Sequence, residues 1–237
     1  MSTPSPLALI TGAAHRLGKS FALTLARHGF DIVLHYHRSF DEALQTKAEI
    51  ESIGRSVTLA QADLTNPGQI HSLLSIFQSL DVLVNSAAFM PGGNVDALSI
   101  EKWDTSLDLN LRAPFLLAQE GAKKMTGGGL IVNITDVGAQ KAWSRYPSYT
   151  VSKAALESLT KILARGLAPK IRVNAIAPGF VLRSDIVPAE EWERLINRVP
   201  LKRPARIEEV TSALEFLLQN EYITGQTIVV DGGYSLV

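Results

Sequence analysis

Short apolar runs alternate along the whole chain with longer stretches in which apolar residues recur every three or four positions. The runs Leu7–Ile10, Ile32–Leu34, Val57–Leu59, Val82–Val84, Leu130–Ile134, Ile171–Ile176 and Thr227–Val230 predict strands. Each is nearly continuous in apolar residues, as expected of a strand covered on both faces. Between them, Leu17, Phe21, Leu25 and His28 mark one helix, and Trp103, Leu107, Leu111 and Phe115 a second. Ala155, Leu159, Ile162 and Leu163 mark a third, and Val210, Leu214 and Leu217 a fourth. All four sets follow the helical period. Gly29 stands where the first helix should close, and Pro114 predicts a kink in the second. Regular strand–helix alternation implies one α/β domain over residues 1–237: a doubly wound parallel sheet of about seven strands with helices on both faces. One segment, about 178–206, breaks the pattern with four prolines and a single short helical candidate at Ala189–Arg198. A stretch of that length inside a domain is usually a lid or binding loop, here expected to carry the substrate.

Composition narrows the function. Lys plus Arg and Asp plus Glu number 23 each, for a net charge of zero. Such balance argues against a nucleic-acid partner or a polybasic membrane surface. Hydrophobic residues at 46% and charged ones at 19% exclude intrinsic disorder. With no cysteine, the chain has no disulfide framework, thiol nucleophile or Cys-ligated metal. The amino terminus lacks a basic region and a long apolar run, and no segment reaches the ~18–20 apolar residues of a membrane span. The expectation is a cytoplasmic protein acting on a small molecule.

Three clusters carry candidate chemistry. Thr11-Gly12-Ala13-Ala14-His15-Arg16-Leu17-Gly18 lies between the first strand and the first helix. Glycines there permit a tight turn and close backbone approach, and the helix amino end offers N–H groups to an anion. Arg16 stands where a third glycine is usual, and its cation can reach a diphosphate or an anionic substrate. The second strand ends in His35-Tyr36-His37-Arg38-Ser39. An acidic residue at this point selects NAD through the ribose 2′-hydroxyl. Arg38 and Ser39 instead favour the 2′-phosphate of NADP; Ser39 can also cap the next helix, and the two readings are compatible because capping does not remove Arg38. In the third cluster Tyr149 and Lys153 stand four apart at a helix start and share a face. A nearby ammonium stabilises a phenolate and draws the tyrosine pKa from its ordinary value near 10 toward the working range.

Ordered along the chain, these motifs resemble the short-chain dehydrogenase/reductases over essentially the full length. The supports are Thr11-Gly12 with Gly18, Asp63 in Ala62-Asp63-Leu64-Thr65, and Asn85-Ser86-Ala87 after the fourth strand. Asn110, the Tyr149/Lys153 pair, Asn174 with Pro178-Gly179, and Asp231-Gly232-Gly233 continue the series. The resemblance implies a Rossmann-type sheet, a nicotinamide cofactor, and hydride transfer with Tyr149 as proton donor. It further implies that Asp63 contacts the adenine, and that Gly12, Arg16, Leu17, Gly18, His37, Arg38, Ser39, Leu64, Asn85, Ala87, Tyr149, Lys153, Pro178 and Gly179 also bind the cofactor. Asn110 would anchor a water-linked proton relay through Lys153. The family's usual catalytic Ser falls on Asp136, and its usual middle glycine on Arg16. With the His-Arg-Ser run, these departures are similar to the pteridine reductase branch, with NADPH as cofactor, Asp136, Tyr149, Lys153 and Asn110 as catalytic residues, and Arg16, Phe89, Asp136, Tyr149 and Phe180 around a pterin. Family resemblance also implies a homotetramer.

A chemical argument runs alongside. A Ser hydroxyl donates to a forming alkoxide, whereas an ionised Asp repels it. An Asp makes better sense where a proton goes to a ring nitrogen as a C=N bond is reduced. The rivals are a general carbonyl or 3-oxoacyl thioester reductase on the same scaffold, and a non-catalytic NADP(H)-binding regulator. Other conspicuous residues read more plainly. His15, His28, His35, His37 and His71 show no paired metal spacing. Trp103 and Trp192 read as packing residues, Trp143 and Tyr146 as either packing or pocket lining. Lys123-Lys124 compensates a helix dipole. Val181, Leu182 and Arg183 extend from Phe180 as a further candidate substrate wall.

Overall fold

Successive side chains of a strand point to opposite faces, so a run that is apolar throughout needs cover on both. The computed structural model, which describes residues 5–184 and 187–237, meets that requirement. Among the described residues the strands are β1 (Leu7–Ile10), β2 (Asp31–Tyr36), β3 (Val57–Gln61), β4 (Val82–Asn85), β5 (Gly129–Ile134), β6 (Ile171–Pro178) and β7 (Thr227–Val230). They form one sheet in the order β3-β2-β1-β4-β5-β6-β7, with every neighbouring pair parallel. The helices are α1 (Arg16–Arg27), α2 (Phe40–Ser52), α3 (Pro67–Ser75), α4 (Ile100–Leu107), α5 (Ala113–Ala122), α6 (Gly138–Lys141), α7 (Pro147–Leu167), α8 (Ala189–Arg198) and α9 (Ile207–Gln219).

Two apolar layers result. On one face Ala8 and Ile10 of β1, Val82 and Val84 of β4, and Leu130 and Val132 of β5 pack against Phe21 and Leu25 of α1 and Leu214 and Leu217 of α9. On the other, the intervening Leu9, Leu83 and Ile131 pack against Leu73 of α3, Leu117 of α5 and Leu163 of α7. The seven expected strands and the helices on both faces are therefore present. Helices α2 and α3, which the apolar period did not mark, complete the cover. Gly29 takes φ +91° directly after the α1 carboxyl end, as its position predicted.

The kink expected at Pro114 takes another form. Pro114 lies in the first turn of α5, and the irregularity precedes it as a π-helical turn over Asp108–Arg112. Proline has no N–H for the carbonyl four residues back and its ring crowds that carbonyl, which belongs to Asn110. The preceding turn widens and presents Asn110 inward, fully buried. In the 178–206 segment α8 occupies the span its pattern predicted; Asp185 and Ile186 of that segment lie outside the described residues. Among the described residues no helix is long and apolar enough to cross a membrane, and no group of three or more His, Asp or Glu is placed to hold a metal ion.

Candidate active site

The strand order turns back between β1 and β4, and ligands of open parallel sheets bind beyond the carboxyl ends of the strands at such a point. A cleft of about 1650 Å³ opens there. A site for one drug-sized ligand takes about 300–1,000 Å³, so this cleft has room for a dinucleotide and a second molecule. Gly12, Arg16, Leu17, Gly18, His37, Arg38, Ser39, Asp63, Leu64, Ala87, Phe89, Asp136, Tyr149, Lys153, Pro178, Gly179 and Phe180 all line it.

Two residues expected at the cofactor or the reaction stand behind the wall instead. Asn85 is buried and donates from Nδ2 to Asn133 Oδ1 at 2.8 Å. Asn133 in turn donates to Thr160 Oγ1 at 2.9 Å, joining β4 and β5 to α7. Asn110 accepts from the Phe89 N–H at 2.8 Å and donates to the Phe89 carbonyl at 2.8 Å, with Ser106 and Ser152 as further partners. Its visible work is to fix the loop that carries Phe89.

At one end of the cleft the backbone is shaped for an anion. Gly12 takes φ +64°, and a Cβ there would lie 3.0 Å from Ala87 Cα. A Cβ on Gly18 would lie 2.1 Å from the Gly12 carbonyl oxygen, so only glycine lets α1 start this close to β1. The α1 amino end has no side-chain cap and no acidic residue in its first turn, which leaves amide N–H groups and a positive dipole end for a phosphate. Arg16, standing where a glycine is usual, takes φ +53°, in the left-handed region that favours glycine. Its guanidinium, expected at phosphate and pterin, donates to the Leu182 and Arg183 carbonyls at 2.9 and 3.4 Å and ties the phosphate turn to the substrate loop. Ser39 stands at the α2 N-cap but makes no side-chain capping bond. Ser39 thus holds the N-cap position through its backbone carbonyl, which accepts from the Ala43 N–H at 3.1 Å, and its side chain does not cap the helix. Asp63 Oδ1 accepts from the Thr65 N–H and Oγ1 at 2.9 and 2.7 Å, which holds its carboxyl below the usual range and keeps it ionised. These groups fit a dinucleotide: a glycine cradle and free helix amides, with Arg38 and Asp63 also lining the cleft.

The sequence offers His35 no metal spacing, yet it sits in the wall of this cradle. The clue was a polar residue inside a strand buried along nearly all its length. Its Nδ1 accepts from the Gly12 N–H at 3.1 Å, and its Nε2 lies 3.0 Å from the Ala62 carbonyl, so Nε2 carries the proton. Burial pushes the imidazole down to about 4; the Ala62 bond opposes this, His37 adds to it and Asp63 opposes it. Between pH 6.5 and about 4 the unfolded chain therefore binds a proton that the native chain refuses. Stability contributed by neutral His35 is present above pH 6.5 and is lost as pH falls, by about 3 kcal/mol at full effect. Urea midpoints from pH 7 to 4 should fall more steeply in the wild type than in His35→Asn; parallel slopes would refute this assignment.

At the opposite end of the cleft Asp136, Tyr149 and Lys153 meet. Asp136 follows β5; its Oδ1 accepts from the Gly138 N–H at 2.7 Å and its Oδ2 from the Tyr149 hydroxyl at 2.7 Å. The α7 helix brings Lys153 beneath the tyrosine, 5.7 Å from its ring centre, with Nζ donating to the Ile134 carbonyl at 2.6 Å. The lysine-driven lowering of the Tyr149 pKa that the spacing predicts does not occur here. Burial first, and then the Asp136 charge and hydrogen bond, push the phenol well above its ordinary value. Burial likewise raises the Asp136 carboxyl, against the Gly138 and Tyr149 bonds and the Lys153 charge. It lowers the Lys153 ammonium to about 8, with Asp136 opposing. The trio thus holds protons on the phenol and, more readily than usual, on the carboxyl: a reservoir for donation. Gly138, which the sequence did not single out, is required. A Cβ there would lie 2.7 Å from the Trp143 ring and 3.0 Å from Asp136 Oδ1.

Aromatic rings line the remaining wall. Phe180 packs edge-on to Tyr234 at 4.7 Å and to Trp192 at 5.7 Å, and Trp143 meets Tyr146 and Tyr234 at 6.4 and 6.5 Å. Trp143 and Tyr146 line the cleft, and so does Trp192, which packs and lines at once. Phe89 also lines the cleft and is exposed. Lys123 and Lys124 lie away from the cleft; Lys123 pairs with Glu120 at 2.7 Å and Lys124 donates to the Phe77 carbonyl at 2.8 Å.

A family model described as Enoyl-(Acyl carrier protein) reductase matches residues 12–235. The chain belongs to the short-chain dehydrogenase/reductase family. As in that family, its cofactor is a nicotinamide dinucleotide and its activity that of an oxidoreductase. A 3-oxoacyl-[acyl-carrier-protein] reductase of a Synechocystis species is 35% identical, covering 96% of each chain. A 1-cyclohexenylcarbonyl-CoA reductase of Streptomyces collinus is also 35% identical, over 98% of this chain and 87% of its own length. Among solved structures, FolM Alternative dihydrofolate reductase 1 from Brucella canis, complexed with NADP, superposes with a TM-score of 0.92 at 36% identity, covering 98% of this chain and 94% of the other.

Proposed function

We propose that this short-chain reductase uses NADPH to reduce a pterin or dihydropterin. The observation that carries the reading is the 2.7 Å hydrogen bond from the Tyr149 hydroxyl to Asp136, a carboxyl where the family usually places a serine. The bound dinucleotide supplies a hydride from its nicotinamide. Reduction of a C=N bond then needs a proton at nitrogen. Asp136, its carboxyl raised by burial, delivers or relays it, and Tyr149 re-supplies the carboxyl through their shared hydrogen bond. Lys153 steadies the negative charge left on the pair, and Asn110, through Phe89, sets the loop facing the substrate. Phe89 and Phe180 line a space that suits a flat heterocycle. The similarity to a protein described as an alternative dihydrofolate reductase supports the same reading.

A second reading, a 3-oxoacyl thioester reductase, draws on the relative of that activity at 35% identity. Against it stands the Asp136 carboxyl beside the position where an oxyanion would form. A non-catalytic regulator has no use for the buried Asp136–Tyr149–Lys153 trio. The deciding experiment follows NADPH oxidation with dihydrobiopterin, dihydrofolate and acetoacetyl-CoA at fixed enzyme. Pterin turnover is the expected result; rapid acetoacetyl-CoA reduction with no pterin turnover would establish the second reading.

NADPH rather than NADH is proposed because Arg38 and Ser39 line the cleft where an NAD enzyme carries an acid. One charge-assisted contact is worth about 1.5–3 kcal/mol. Arg38→Asp should therefore weaken NADPH by roughly one to two decades and NADH little. Equal affinity of the wild type for both cofactors, measured by fluorescence titration, would refute it. The proposed setting is cytoplasmic and the proposed assembly a homotetramer. A hollow lined by Leu107, Leu111, Phe115 and Leu159 with Asp108 and Arg112, together with exposed Ile162 and Val151 on α7, supports self-association.

A further inference from the structure

His35 is 2% exposed on a strand whose other inward residues are apolar, apart from the tyrosine that follows it. A buried imidazole is costly unless both nitrogens are satisfied, and here both are, by two different loops. Nδ1 takes the Gly12 N–H of the turn that leads into α1. Nε2 gives its proton to the Ala62 carbonyl, immediately before Asp63 in the loop after β3. The backbone of the same segment reinforces both ties. The His35 carbonyl accepts from the Ala13 N–H at 2.9 Å, and the Tyr36 carbonyl from the Ala62 N–H at 3.1 Å.

The Gly12 peptide is the sensitive member. It takes φ +64°, and its carbonyl oxygen lies where a Gly18 Cβ would be, so its orientation decides how closely α1 can start. A side chain that accepts its N–H fixes that orientation. We propose that His35 is a positioning residue for the dinucleotide: its neutral ring holds the Gly12 turn and the Ala62–Asp63 edge at a fixed separation, so that phosphate and adenosine ends are bound together. The ring lines the cleft floor between these loops. The proposal concerns the cofactor alone and does not depend on which substrate is reduced.

Three variants separate the two hydrogen bonds. His35→Leu removes both. His35→Asn keeps an acceptor at the level of Nδ1 for Gly12, and His35→Gln keeps a donor at the level of Nε2 for Ala62. NADPH dissociation constants are read by fluorescence titration, alongside thermal midpoints and kcat at saturating NADPH. Loss of the Gly12 acceptor leaves a buried N–H unpaired, so His35→Leu should weaken NADPH by about tenfold or more. His35→Asn should stay within about threefold of wild type, with His35→Gln weaker than Asn, and kcat at saturating cofactor should hold in all three. Wild-type affinity in His35→Leu overturns the proposal, as does a fall in kcat that tracks the thermal midpoint. Should His35→Leu not fold, the order of the other two decides: Asn tighter than Gln supports the proposal, and a tie or the reverse overturns it.

Discussion

Tyr149→Phe should lower turnover by roughly two to four decades while leaving NADPH affinity and the thermal midpoint close to wild type. The ring survives the change and only the hydroxyl goes. Among the described residues that hydroxyl bonds to Asp136 Oδ2, and its proton is held firmly because burial and the neighbouring carboxylate both oppose the phenolate. A phenol with a raised pKa gives up its proton only as negative charge elsewhere in the site is relieved, so the proposed role of Tyr149 is that of a donor coupled to Asp136 rather than a free phenolate base. Removing it also strips Asp136 of a hydrogen bond that stabilises its charged form, which should raise that carboxyl further. The pH profile of the residual activity should therefore shift upward relative to wild type. Steady-state assay with NADPH and dihydrobiopterin measures both. Turnover near wild type would move the acid to another group.

Strand by strand, the framework was legible because its physics is periodic. The runs at Leu7, Ile32, Val57, Val82, Leu130, Ile171 and Thr227 are nearly continuous in apolar residues for a reason that the structure makes plain: Ala8 and Ile10 face α1 and α9 while Leu9 between them faces the α3–α5–α7 layer. Helices α2 and α3 were less legible, since α2 buries only Ala43, Thr46 and Ile50, too narrow a stripe to dominate its pattern. The site was legible where backbone geometry demands one residue type, as at Gly12 and Gly18, or where helical spacing brings two groups together, as with Tyr149 and Lys153. It was illegible where function lies in direction. Spacing placed Lys153 by Tyr149 but not its hydrogen bond to Ile134, nor the 2.7 Å bond that makes Asp136 the tyrosine's dominant partner. Arg16 was legible as a cation in the phosphate turn, but the fold turns it toward the Leu182 carbonyl across the cleft. Asn85 lies one residue beyond the cleft wall, a distinction no motif carries.

Asp136→Ser should have opposite effects on the two chemistries available to this scaffold. In the wild type the Asp136 side chain is fixed at both oxygens, by Gly138 and by Tyr149, and burial raises its pKa, so it carries a proton more readily than an ordinary carboxyl. That suits delivery to a ring nitrogen, and pterin turnover in the variant should drop by roughly two decades or more. A ketone instead develops an oxyanion, which the carboxylate opposes and a hydroxyl stabilises, so acetoacetyl-CoA reduction should hold or rise. Stability should move independently of activity. Because the native carboxyl pKa is raised, its ionised form disfavours the fold as pH climbs above the ordinary carboxylate range. Removing it should leave the thermal midpoint at neutral pH unchanged or higher, the signature of a group kept for function at the expense of stability. The same logic gives the pH dependence: wild-type pterin reduction should decline as rising pH deprotonates Asp136, and the serine variant should lose that limb of the profile. Parallel losses of pterin and ketone activity, or a lowered midpoint, would show that Asp136 only holds the β5–α6 turn together and that the proton reaches the substrate by another route.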